Sequence, residues 1–454
     1  MRRLAAIATA LLGCGVAACG PSPRGGAAPA PQSGSTVPKL FDPVGLYRSM
    51  GLLVAGPPLP FVASLRYLAD ASPDSTLAVF GLSLANHALS FRRDGGEFVA
   101  QYHVEVTFRT DTTPLRQVAS DETVRVRTFQ ETLRADESVV FQQFVGVPPG
   151  VYRLSVLVRD RSGAALSRTE AVDTVPRLGG RGIATPIPIY TGTGRTTLTA
   201  LPKFLVNPRG TLPYGADSAR FYVEGYGLPA ATRAAVQVLD KSGADVWRDT
   251  ITFAGDAQLA VARIVVRPSD VPVGEGQLVL RTVASPPLDA RAPILVSFSD
   301  QWALTNFETM VSLLRYFERQ DWVTKLRQAS PDQRAAVWRE FFKATDPVPI
   351  TPENEALDEY FRRVQVANER FQEAGEAGWL TDRGEVYISL GEPDEIYDFS
   401  TDVARTGARA IRWTYNSLRI TLFFQDQAGF GRFRLTPLSR AEFQRVLARV
   451  RRSS

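Results

Sequence analysis

Asp382, Glu392, Asp394 and Glu395 crowd into one short stretch of this 454-residue chain. Brought together, four carboxylates of this kind would suit a divalent cation or general acid/base work on a scissile bond. The other candidates are sparse. His87 and His103 are the two histidines, and His103 falls on the polar side of an alternating strand, where a solvated ring is expected. Neither HExxH nor GxSxG occurs in the sequence. Gly179-Gly180-Arg181-Gly182 and Gly192-Thr193-Gly194-Arg195 lack the Gly-Lys-Ser/Thr ending of a phosphate loop and read as linkers. The carboxylates sit in turns with no histidine near them, so no catalytic residue, metal or cofactor is assigned.

Positioning begins at the N-terminus. Arg2 and Arg3 precede an apolar run from Leu4 to Val16, the length of a signal-peptide core and too short for a bilayer span. The run closes on Val16-Ala17-Ala18-Cys19. This resembles the lipobox of bacterial lipoproteins, and the resemblance implies cleavage before Cys19 and acylation of that residue. Cys14 would leave with the leader, so no thiol would remain for a disulfide, a nucleophile or a zinc site. The Pro- and small-residue-rich stretch from Gly20 to Val37 reads as a flexible tether. The expectation is a lipid-anchored envelope protein, at the outer membrane facing the periplasm, held to the membrane by its N-terminal lipid.

Between Phe61 and Pro176 the apolar residues alternate, as in Tyr102, Val104, Val106 and Phe108. Turn signals such as Asp94-Gly95-Gly96 and Pro148-Pro149-Gly150 separate the runs. A Gly/Pro linker then precedes a second set of strand patterns, from Phe204 to Phe298. From Trp302 the period becomes helical, with Phe307, Met310, Val311, Leu314 and Phe317 on one stripe. Ser330-Pro331-Asp332-Gln333 and Thr351-Pro352-Glu353 read as helix starts, and Ser439 to Glu442 as a capping box for a last amphipathic helix. The expected fold is multidomain: two β-sandwich (Ig/fibronectin-like) modules, then an α+β C-terminal domain with helices on a small antiparallel sheet. The divisions are a leader at 1–18, a tether at 19–42, sandwiches at 43–178 and 184–300, a helical linker region at 301–345 and a final domain at 346–454.

That last domain holds Gly378-Trp379-Leu380-Thr381-Asp382-Arg383-Gly384. With Asp346-Pro347, Asn354-Glu355 and Trp413-Thr414-Tyr415 in order around it, the segment resembles the GWxTD domain family of bacterial envelope proteins. The resemblance implies an exported or lipid-anchored architecture with β-rich N-terminal modules, and it brings no activity with it. From the residues, the motif reads as a turn. Gly375 and Gly378 end a helix, Trp379 plugs a pocket between that helix and the sheet, Asp382 accepts backbone N–H bonds, and Arg383-Gly384 lead into a strand at Val386.

Charge is segregated across the domain. Residues 346–398 hold 14 acids and 4 arginines, whereas 399–454 hold 3 acids and 11 arginines, so the two halves should attract. Over the whole chain 52 cations meet 47 anions, too even a balance for a nucleic-acid footprint. The reading these features support is a scaffold or protein-binding factor with an envelope protein as partner. The alternative is a hydrolase using the carboxylates around the motif.

Overall fold

The computed structural model describes residues 42–454, apart from 111–113, 135–138, 217, 300–301, 303, 350–353, 374, 400–408 and 454. Cys19, the tether and the Thr351-Pro352-Glu353 helix start lie outside the described residues.

The short helix α1 (Pro43–Ser49) leads into β1 (Leu53–Ala55), β2 (Phe61–Ala69), β3 (Thr76–Leu84), β4 (Arg92–Asp94), β5 (Glu97–Arg109) and β6 (Pro114–Val126). A one-turn helix α2 (Phe129–Thr132), closed by a Thr128/Glu131 capping box, precedes β7 (Val139–Val147), β8 (Gly150–Asp160) and β9 (Leu166–Val175). One antiparallel sheet runs β1-β2-β3-β7 and a second runs β4-β5-β8-β9, with β6 also paired to β5. Phe61, Phe80 and Phe141 from the first sheet share a core with Tyr102, Val104, Phe108 and Leu154 from the second. His103, expected to be solvated, bonds through Nδ1 to Asp121 at 2.7 Å.

The second sandwich takes β10 (Gly182–Ile183), β11 (Ile187–Gly194), β12 (Lys203–Val206), β13 (Thr211–Pro213), β14 (Ala219–Tyr226), β15 (Arg233–Asp240), β16 (Asp245–Thr252), β17 (Ala254–Gly255), β18 (Ala260–Val266), β19 (Gly274–Thr282) and β20 (Asp289–Ser297). Its sheets run β12-β11-β14-β18-β17, with β10 also on β14, and β13-β20-β19-β15-β16. The pairing is antiparallel except for β13 beside β20.

Strand β3 is buried at every position, so its two faces are both covered. The inward face joins the first core through Phe80 and Leu82, while Leu77 and Val79 pack with Ile189, Phe204, Val206 and Tyr222 of the second sandwich. A sheet covered on both sides reads as a continuous apolar run, which Thr76-Leu-Ala-Val-Phe-Gly-Leu-Ser-Leu84 is. Arg195 ties the same interface. Its guanidinium grips Glu224 through two bonds of 2.8 Å and also donates to the carbonyl of Ala69 on β2. The glycine-rich segment read as a linker is therefore the end of β11 and a buried anchor.

Helices α3 (Phe307–Leu313), α4 (Gln320–Gln328), α5 (Arg334–Thr345), α6 (Glu355–Arg370) and α7 (Asp382–Leu390) follow. Strands β21 (Glu395–Asp398), β22 (Arg409–Tyr415), β23 (Ile420–Asp426) and β24 (Arg434–Leu435) form an antiparallel sheet in that order, and α8 (Pro437–Ser453) ends the described chain. The arrangement is the expected helices on a small antiparallel sheet. One continuous core runs from Phe221 and Ile294 of the second sandwich through Met310, Trp338 and Phe361 to Trp413 and Phe443. Among the described residues no helix is long and apolar enough to cross a membrane.

Three local expectations are corrected. Helix α5 starts after Gln333, with no side-chain cap from Ser330. At α8 the Thr436 hydroxyl accepts the Ser439 N–H, while the Ser439 hydroxyl accepts the Phe423 N–H, so Ser439 braces the sheet and does not cap the helix. The largest correction is at residues 386–390, read as a strand, which are helical. Thr381 caps this helix and the acids Asp382 and Glu385 occupy its first turn, both favourable at a helix N-terminus.

Candidate functional site

The motif joins α6 to α7 through a single 3-10 turn, Gly378–Leu380. Gly378 lies directly on the carbonyl end of α6: a Cβ there would sit 2.7 Å from the Asn368 oxygen and closer still to that of Ala367. Gly384 repeats the arrangement against the carbonyl of Gly378. Gly378 thus lets the turn pack backbone to backbone on α6, and Gly384, six residues later, lets α7 close on that turn. Thr381, fully buried, donates from Oγ1 to the Gly378 carbonyl at 2.8 Å and accepts the Gly384 N–H at 3.0 Å. Gly378→Ala is expected to cost about 1–3 kcal/mol, because both obstructing atoms are backbone and neither can swing aside. A fall in the thermal midpoint of the full chain checks this.

The charged motif residues are spent on joining elements. Asp382 Oδ2 accepts the Leu435 N–H of β24 at 2.7 Å and pairs with Arg440 of α8 at 2.7 Å. Arg440 also holds Glu385 at 2.6 Å. Burial alone would lower the Arg440 pKa, but the Glu385 hydrogen bond and the neighbouring carboxylates outweigh it and raise the value. Arg383 reaches Glu373 at 3.1 Å and stacks 4.6 Å from the Phe433 ring centroid. Glu373 has no exposed side-chain surface, and it also accepts the Phe433 N–H and Arg434 Nη1, each at 3.2 Å. Arg434 bridges on to Glu376 at 2.7 Å. The attraction between the acidic and arginine-rich halves is realised in these pairs. Glu373 is the carboxylate the sequence did not single out, since nothing in its spacing marks it as the one that is buried.

The remaining candidate carboxylates go to separate partners. Glu392 forms a two-pronged pair with Arg370 at 2.6 and 2.9 Å, which holds its carboxyl below the ordinary value. Asp394 accepts the Asn416 N–H at 2.6 Å, and Glu395 is exposed on β21 opposite Thr414. Asp382, Glu392, Asp394 and Glu395 share no partner, and no group of His, Cys, Asp and Glu suited to a metal ion occurs among the described residues. Asn368, near the end of α6, has a buried Oδ1 with no hydrogen-bond partner.

Trp379 departs most from expectation. It is half-buried at the edge of the core. The plug between α6 and the sheet is Trp413 of β22, whose ring lies 5.2 Å from Phe371 and 4.8 Å from Phe424. Trp379 instead lines an open groove of about 680 Å³ together with Arg315, Arg327 and Arg334.

The fold and this joint define a class: a β-rich multidomain protein closing in an α+β domain built on a glycine-packed helix–turn–helix. Within that class, residues 287–431 match the family model described as the GWxTD domain, so the chain carries that domain. The match begins just before β20 and includes α3 to α5, helices that share the domain's continuous core. No curated protein matches the chain.

Proposed function

We propose that this is an exported, lipid-anchored protein of the cell envelope that acts as a scaffold or protein-binding factor. The observation that supports the binding reading is the use made of the motif's polar groups. Thr381 closes the motif's own turn, Asp382 reaches β24 and Arg383 holds the buried Glu373. Such a site is built to hold a shape. The sandwiches contribute to the same end, since the doubly covered β3 and the Arg195–Glu224 pair fasten one to the other. The anchor reading rests on Val16-Ala17-Ala18-Cys19 behind its basic and apolar leader.

Growth with a fatty-acid analogue tests the anchor: the natural protein takes label and fractionates with membranes, and Cys19→Ala is unlabelled and released. A natural protein without label overturns that part. Crosslinking in living cells tests the binding part, with a discrete protein partner as the expected product. Hydrolytic turnover abolished by Asp382→Asn in a variant that keeps its melting temperature would overturn it in favour of an enzyme.

A further inference from the structure

Several arginines of the domain hold a carboxylate: Arg363, Arg370, Arg383, Arg434 and Arg440. The groove beside Trp379 gathers two that do not, next to a third. Arg315, after α3, and Arg327, on α4, are exposed and have no carboxylate partner among the described residues. Arg334 is held by Glu308 at 2.6 Å and lies 4.5 Å from the Phe307 ring centroid, yet its buried Nε has no hydrogen-bond partner. Three guanidinium groups and one carboxylate therefore line a concavity of about 680 Å³, together with an indole only partly packed against the core.

Like charges gathered without neutralisation repel one another, and a bound anion relieves that repulsion. Guanidinium forks match planar carboxylates through paired hydrogen bonds. The indole offers a flat apolar surface, and tryptophan with arginine is the combination on which protein-binding energy concentrates. A flat bilayer surface fits a projecting face better than a groove, which favours a chain segment as occupant.

We propose that this groove binds an acidic segment of a partner protein, with carboxylates on Arg315 and Arg327 and an apolar or aromatic side chain on Trp379. The proposal rests on the protein-binding reading and names the partner's chemistry; it is independent of the lipid anchor.

The test uses the full chain and a dye-labelled synthetic peptide of four Glu-Phe-Glu repeats, read by fluorescence anisotropy. The natural protein is expected to bind, with an affinity that falls as salt is raised. The double variant Arg315→Glu/Arg327→Glu should lose about tenfold or more, while Arg451→Glu, an exposed arginine on α8, should bind normally. Trp379→Ala should weaken binding and Trp379→Phe should restore most of it. The proposal is overturned if the double reversal binds like the natural protein, or if Arg451→Glu loses as much. It is equally overturned if a Lys-Phe-Lys peptide binds as well, if inorganic phosphate at low millimolar concentration displaces the peptide, or if phosphatidylglycerol vesicles are captured through the same arginines in preference to it. Absence of peptide binding would remove the groove as the site and leave the in-cell crosslinks to judge the wider reading.

Discussion

Arg195→Ala is expected to destabilise the protein by about 3–5 kcal/mol, because it strands a carboxylate in a dry interface. Arg195 and Glu224 have no exposed side-chain surface. Besides its two bonds to Glu224, the guanidinium donates to the carbonyls of Ala69, Leu198 and Ala200. Tyr222 and Tyr226 each donate to Glu224 at 2.7 Å, and Tyr226 accepts the Ala69 N–H at 2.9 Å. Removing the cation leaves Glu224 with only two phenols to offset its desolvation, and frees the Ala69 carbonyl at the seam between the sandwiches. Arg195→Lys should recover part of the loss, since an ammonium keeps the charge but not the two-pronged fit. Arg195→Met combined with Glu224→Leu should also be milder than Arg195→Ala alone, since no unpaired charge is then buried. Urea unfolding of the full chain measures all three, and an unchanged Arg195→Ala midpoint would show the pair to be dispensable.

The second large effect separates two tryptophans of the same domain. Trp413→Ala should cost about 3–5 kcal/mol, the loss for emptying an aromatic site in a packed core. Its ring is 1 % exposed and bridges Phe371 of the α6 end to Phe424 of the sheet. Trp379→Ala should cost about 1 kcal/mol, as only part of the indole leaves water on folding. Thermal melts of the two variants check the ordering, and a larger loss at Trp379 would return the motif tryptophan to a core role.

Much of the architecture was legible because it is written in local periodicity. The alternation of Tyr102, Val104, Val106 and Phe108 is β5, and the stripe that starts Phe307, Met310 and Val311 is the buried side of α3. The acid-rich and arginine-rich halves of the last domain announced their pairing, because charge segregated along a sequence of this length leaves the two signs no better partners than each other.

Other features depend on what comes to lie beside a segment. Glu385 to Leu390 has too few apolar positions to separate helix from strand by period, and the Thr381 cap together with the Gly378–Gly384 contact decides for helix. Trp379 stands at the edge of the core, and Trp413 fills the site between Phe371 and the sheet. Likewise Glu373 became a buried hub only when Arg383, Phe433 and Arg434 converged on it, the last two some sixty positions away. Sequence alone determined the β-rich modules, the helical switch, the charge halves and the motif. Tertiary structure decided which sheet is covered twice, which tryptophan is core and which arginines remain unpaired, because burial and neutralisation belong to neighbours in space and local spacing does not encode them.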